Sequence, residues 1–144
     1  MKKISFVVQV KPIPQARPRF YVRQSGLKHF VGVYDIATCK DFKKTIAWHA
    51  KIKAIEEGLR EPLKDPLVIS LIFQMGENSK EKYHTKRPDL DNLAKAIKDA
   101  LRGIIFKDDS QIVEAHLYKQ YGEPEVRIEV STKGGGSFER TNTQ

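Results

Sequence analysis

Two pairs of aspartates carry the chemistry this chain could do. Asp89 and Asp91 stand one residue apart at the front of RPDLDNLAKAIKDAL, and Asp108 and Asp109 stand side by side shortly after it. Carboxylate oxygens are hard donors of the kind that hold Mg2+. Pro88 biases Arg87 toward an extended conformation. If that conformation continues through Asp89, both carboxylates of the first pair project to one side. Lys95 follows Asp91 by one helical turn on the same face. Each feature also has a plain structural explanation. Asp91 can cap a helix while Asp89 interacts with the helix dipole. Asp108 and Asp109 can form an exposed turn before a strand, and Lys95 can pair with Asp91.

The surrounding charge favours a phosphate-bearing partner. The 144 residues carry a net charge of +8, with seven Lys or Arg and no acid in residues 1–34, against 19 basic and 18 acidic residues in 35–144. Cations displace condensed counterions from a nucleic-acid backbone, and the interleaved Phe20, Tyr21, His29 and Phe30 can stack on exposed bases. Arg17, Arg19 and Arg23 in this region, with Lys86 and Arg87 ahead of the first acid, are candidate DNA contacts. A solvated basic face is the alternative.

The elements that must position these residues fit one domain. Ile4–Val10 alternates and predicts a strand rather than a signal peptide. KPIPQARPRF has three prolines in seven residues and predicts an extended basic arm. YVRQSGLKHFVGVY predicts a hairpin with its tip near Ser25 and Gly26. Thr38 and Asp41 mark a helix start; Phe42, Ile46, Ala50 and Ala54 recur at i+4, with Trp48, Ile52 and Ile55 widening the apolar face as far as Gly58. Asp65–Met75 predicts a central strand. From Asn92 a second helix buries Leu93, Ile97, Ala100, Leu101 and Ile104. The strand after it points Val113, Ala115 and Leu117 inward and is expected to form a hairpin with VRIEV. The result is an α+β fold: one mixed β-sheet with two helices packed on one face. Residues 1–131 form the domain and 132–144 a flexible tail.

In that layout Asp109 leads into a strand beside Asp65–Met75, so three carboxylates could reach one sheet edge. Converging acids in a basic protein are the expected make-up of a magnesium-dependent nuclease, in which Lys95 stabilises charge developing on the phosphate. No stretch approaches the roughly 20 apolar residues that span a bilayer. The lone Cys39 excludes an internal disulfide, and the cytoplasm is the expected compartment. His29, His49, His84 and His116 lack metal-ligand spacing; His49 is expected on a helix surface and His84 in a loop near DNA. No glycine-rich phosphate loop implies a nucleotide cofactor.

The segment RPDLDNLAKAIKDALRGIIFKDDSQIVEAHLYK, Arg87 to Lys119, resembles the RusA family of Holliday-junction resolvases. The resemblance lies in PDLDNLxK, the following DAL and glycine, and DDSQIV. It implies a RusA-like fold and a homodimeric, Mg2+-dependent crossover junction endodeoxyribonuclease that places paired nicks in four-way DNA junctions during recombination and repair. It implies that Asp89, Asp91 and Asp109 bind the metal and that Lys95 is catalytic. Asp108, Asn92 and Gln111 match supporting positions. A non-catalytic nucleic-acid-binding module, or a domain whose basic arm meets an acidic protein, are the competing readings.

Overall fold

The computed structural model describes residues 2–16, 19–22, 28–31 and 36–134. Arg17, Arg23, the hairpin tip at Ser25 and Gly26, and residues 135–144 of the expected tail lie outside them. The elements are β1 (Lys3–Val8), β2 (Arg19–Val22), β3 (Lys28–Val31), α1 (Ile36–Glu56), β4 (Leu67–Gln74), α2 (Leu90–Leu101), a 3-10 turn (Asp109–Gln111), β5 (Ile112–Gln120) and β6 (Glu125–Thr132). The expected hairpin forms: β2 and β3 are antiparallel, with Phe20 opposite Phe30 and Tyr21 opposite His29.

The main sheet has the order β1-β6-β4-β5. β4 is central because every second residue, Leu67, Ile69, Leu71 and Phe73, is fully apolar and buried, facing the helices. It runs parallel to β5 and antiparallel to β6. The expected β5–β6 hairpin is therefore not formed, since β4 lies between the two strands. Residues 121–124 bridge over its end, where Gly76 N–H donates to Gly122 O and Gln74 Nε2 donates to Glu123 O. A four-residue link can cross two inter-strand spacings of about 5 Å each.

The predicted inward row on β5 also needs correction. Register with β4 shifts between Leu67–Ile112 and Val68–Glu114, which leaves Val113 on a bulge. Val113 is 61% exposed and Ala115 is exposed; Leu117 is half-buried against the core. The bulge sets Val113 out of the ladder; beyond it Ala115 and Leu117 stand opposite the buried Ile69 and Leu71, on the inward side, with Ala115 left uncovered at the sheet edge.

Both helices cover the same sheet face. α1 buries Cys39, Phe42, Ile46, Ala50 and Ala54, the predicted i+4 ridge. Its apolar face is narrower than expected, however. Trp48 is 64% and Ile55 77% exposed, and Ile52 is also exposed, because one flank of the ridge already fills the space against β1 and α2. The helix starts two residues before Thr38 and ends ahead of Gly58, whose φ of 70° suits a glycine past a helix C-terminus.

α2 begins at Leu90 and buries Leu93, Ala94, Ala96, Ile97, Ala100 and Leu101. Ile104 lies just beyond it, half-buried against the core. The connector is pinned where Leu63 N–H donates to Ile105 O and Leu63 O accepts from Lys107 N–H.

Candidate active site

At the start of α2, Asp89 occupies the N-cap position with extended backbone (φ −71°, ψ 144°), and its side chain makes no capping hydrogen bond. An N-cap aspartate ordinarily accepts from a helix N–H; this carboxylate is not spent that way. Asp91 lies in the first turn, so the capping role considered for it belongs by position to Asp89. Both acids are exposed, as is Lys95 one turn on. The first-turn N–H groups add partial positive charge that favours carboxylates there.

The basic arm is rooted at this same end. Lys11 to Ala16 lies against the body, with Pro12, Ile13 and Pro14 buried. Gln15 N–H donates to Asn92 O (3.1 Å), and Asn92 Nδ2 donates back to Gln15 O (2.8 Å). Ala16 N–H donates to the buried Cys39 Sγ (3.4 Å). Asn92, next to Asp91, therefore ties the acidic helix start to the segment 11–16 that precedes β2. Lys86 and Arg87 are exposed just ahead of Asp89, and the Arg87–Pro88 peptide is cis.

Two more residues complete this end, of which Lys119 is not among the site residues expected from the sequence. Lys119, near the end of β5, donates from Nζ to Lys86 O (2.6 Å) and Pro88 O (2.7 Å). Partial burial lowers its pKa, opposed by attraction to Asp89. The available signal was its place two residues after Leu117, on the inward side of the strand, where an ammonium needs polar partners. His84 is in the expected loop but is 3% exposed rather than solvent-facing. Its ring tilts against Tyr121 with centroids 4.9 Å apart, its Nε2 is 3.6 Å from Glu77 Oε2, and its N–H donates to Lys119 O.

Asp108 and Asp109 lie at the opposite end of α2. The helix has 12 residues, so its ends are about 18 Å apart. Asp109 pairs with Arg102 (3.3 Å), and Arg102 also pairs with Asp99 (3.5 Å). Its other oxygen, Oδ1, is buried and has no hydrogen-bond partner among the described residues. Asp108 caps the 3-10 turn: Oδ2 accepts from Ser110 N–H and Oγ, while Asp108 N–H donates to Gln111 Oε1. These Ser110 donors, side chain first and then backbone, hold the Asp108 pKa below its ordinary value. Among the described residues no three His, Cys, Asp or Glu side chains cluster as a metal site. A single chain thus gathers Asp89, Asp91 and Lys95, and leaves Asp109 apart.

A mixed sheet backed by two helices, with an acid pair at a helix start beside the root of a basic arm, defines a small α+β class of fold. Residues 9–131 match the family described as Endodeoxyribonuclease RusA. The chain is also 36% identical over 140 residues to the uncharacterized protein YqaN of Bacillus subtilis (strain 168), covering 90% of this chain and 95% of that one. The chain belongs to the RusA endodeoxyribonuclease family. No helix among its described residues is long and apolar enough to cross a membrane.

Proposed function

We propose that this protein is a Mg2+-dependent, structure-selective endonuclease that resolves four-way DNA junctions by paired symmetric nicks in recombination and repair. The observation that carries the reading is the Asp89–Asp91 pair at the start of α2, with the Asp89 carboxylate unspent on capping and the arm rooted at Asn92. Their oxygens match the donor preference of a hard divalent cation. Such a cation, when bound, lowers the pKa of a water nucleophile and shields the scissile phosphate.

The chain's own residues supply the rest. Arg17, Arg19, Arg23, Lys86 and Arg87 hold backbone phosphates and bring a strand to the acids. Lys95, one turn from Asp91, donates to a phosphate oxygen as negative charge develops on it. The Asp109 of the same chain, a helix length away, does not complete the donor set. A homodimer would, if a second copy supplied its Asp109 to the Asp89 and Asp91 of the first. Two-fold symmetry supplies two equivalent sites for two incisions. The folded domain takes in β6 through Thr132, one residue beyond the expected boundary, and the protein works in the cytoplasm.

The test is incubation of labelled four-way junction, fork and duplex DNA with and without Mg2+, beside Asp91→Asn. Symmetric nicks in the junction alone, lost on chelation, are expected. Asp91→Asn is expected to abolish cleavage and keep or improve junction binding, because a negative charge facing the phosphates is removed. Parent-level resolution by Asp91→Asn would overturn the site.

A further inference from the structure

We propose that Lys119 is a positioning residue for the acidic end of α2, pinning the segment that delivers Asp89 and offsetting that carboxylate's charge. The inference deepens the function proposed above and rests on it for the use made of the acids.

One residue holds this segment at three points. Lys119 O accepts from His84 N–H (3.1 Å), and Lys119 Nζ donates to the carbonyls of Lys86 and Pro88, on either side of Arg87. An ammonium has three protons, and these carbonyls take two. The amine is drawn electrostatically to Asp89, the next residue in the chain. Its own backbone is fixed in β5 opposite Phe73 of β4, which is fully buried. The pin therefore connects the ladder against buried Phe73 to the residue before Asp89. Without it, the chain between His84 and Leu90 would be held near Asp89 mainly by the cap position itself. A positive charge beside Asp89 also relieves its repulsion with Asp91, which keeps the two carboxylates together before any cation arrives.

Groups that hold a metal-binding side chain in place typically change metal affinity or activity by about 10–100-fold when removed. Lys119→Met preserves length and removes the donors and charge; Lys119→Arg keeps both. Two measurements on the full chain decide the matter. The first is 15N relaxation on the metal-free proteins. Order parameters at Arg87 and Asp89 are expected near about 0.85 in the parent and in Lys119→Arg, and below about 0.6 in Lys119→Met. The second is Mn2+-induced broadening of the Asp89 and Asp91 amide signals, which needs no cleavage. Its midpoint is expected to rise about tenfold or more in Lys119→Met and to recover to within about threefold in Lys119→Arg.

Unchanged order parameters in Lys119→Met overturn the proposal. So does an unchanged Mn2+ midpoint accompanied only by a lower melting temperature, which is what a purely structural lysine would give. If the parent itself shows no Mn2+ effect at Asp89 and Asp91, the metal-dependent reading fails instead, and the relaxation data alone decide whether Lys119 is the pin.

Discussion

Gln111 is the side chain whose removal tests how the far end of α2 is built. Its Oε1 accepts from Asp108 N–H at 2.7 Å, and its Nε2 donates to Leu63 O at 2.8 Å and Asp65 O at 3.0 Å. One amide thus ties the turn carrying Asp109 to the approach to β4. A hydrogen bond contributes about 0.5–1.5 kcal/mol net, and the exposed ones fall at the low end because water replaces the lost partner. Only the bond to Leu63 is partly buried. Gln111→Met keeps the chain length and removes all three bonds, so its expected cost is about 2 kcal/mol. For a chain of this size that corresponds to a fall of roughly 6–10 °C in Tm. Gln111→Glu keeps the acceptor but sets a carboxylate against two carbonyl oxygens, and is expected to cost about 1 kcal/mol more than Gln111→Met. Urea unfolding followed by far-UV circular dichroism measures both, with the slope unchanged from the parent. The reasoning is refuted if Gln111→Met lies within about 0.5 kcal/mol of the parent, or if the glutamate variant is the more stable of the two.

Two glycines with positive φ should separate strain from crowding. At Gly103 (φ 84°) an added Cβ meets nothing within 4 Å, whereas at Gly76 (φ 79°) it would lie 2.9 Å from Pro124 Cγ; Gly103→Ala is expected to cost about 1 kcal/mol and Gly76→Ala distinctly more in thermal unfolding. Asp108, through Ser110, and Glu114, through Lys133 and then His116, have folded pKa values below their ordinary ones. Each therefore contributes stability above its unfolded value, near about pH 4, that is lost as pH falls through the folded value; carboxyl 13C titration should give low midpoints for both, and an ordinary midpoint for either removes its share. Mixing inactive Asp91→Asn with inactive Asp109→Asn under conditions of subunit exchange should restore single nicks, because one site of the mixed dimer then keeps both acids. A mixture that stays inactive argues that no site is shared between copies.

The local patterns were legible where neighbours in sequence are neighbours in space. The i+4 ridge of α1, the apolar β4, the β2–β3 pairing and the acidic lead-in to α2 all follow from periodicity and turn chemistry. What was not legible depends on pairing across long stretches of chain. Adjacent strands β5 and β6 looked like a hairpin because residues 121–124 form a turn, yet β4 separates them. The Val113 bulge appears only once Ile112 and Glu114 are set against Leu67 and Val68. Trp48, Ile52 and Ile55 have the right type for a core face, but apolar type does not state how wide a face the sheet can cover. The distance between Asp91 and Asp109 is likewise a property of the path. The residues between them include a straight helix, so nearness in sequence became a separation of about a helix length, roughly 18 Å.

That separation makes sense of how charge is distributed at the two ends of α2. At its C-terminal end the peptide dipoles favour cations, and Arg102 sits there, balanced by Asp99 and Asp109. At its N-terminal end they favour anions; Asp89 there attracts the Lys119 ammonium, and the neighbouring Asn92 holds the root of the arm. Two neighbouring carboxylates repel one another. The helix N–H groups and Lys119 each offset that repulsion without capping Asp89 itself. Under the proposed function, the same positive groups would also draw a phosphate backbone toward the acids. The root of the arm and the acidic start of α2 are joined physically by the paired hydrogen bonds of Gln15 and Asn92.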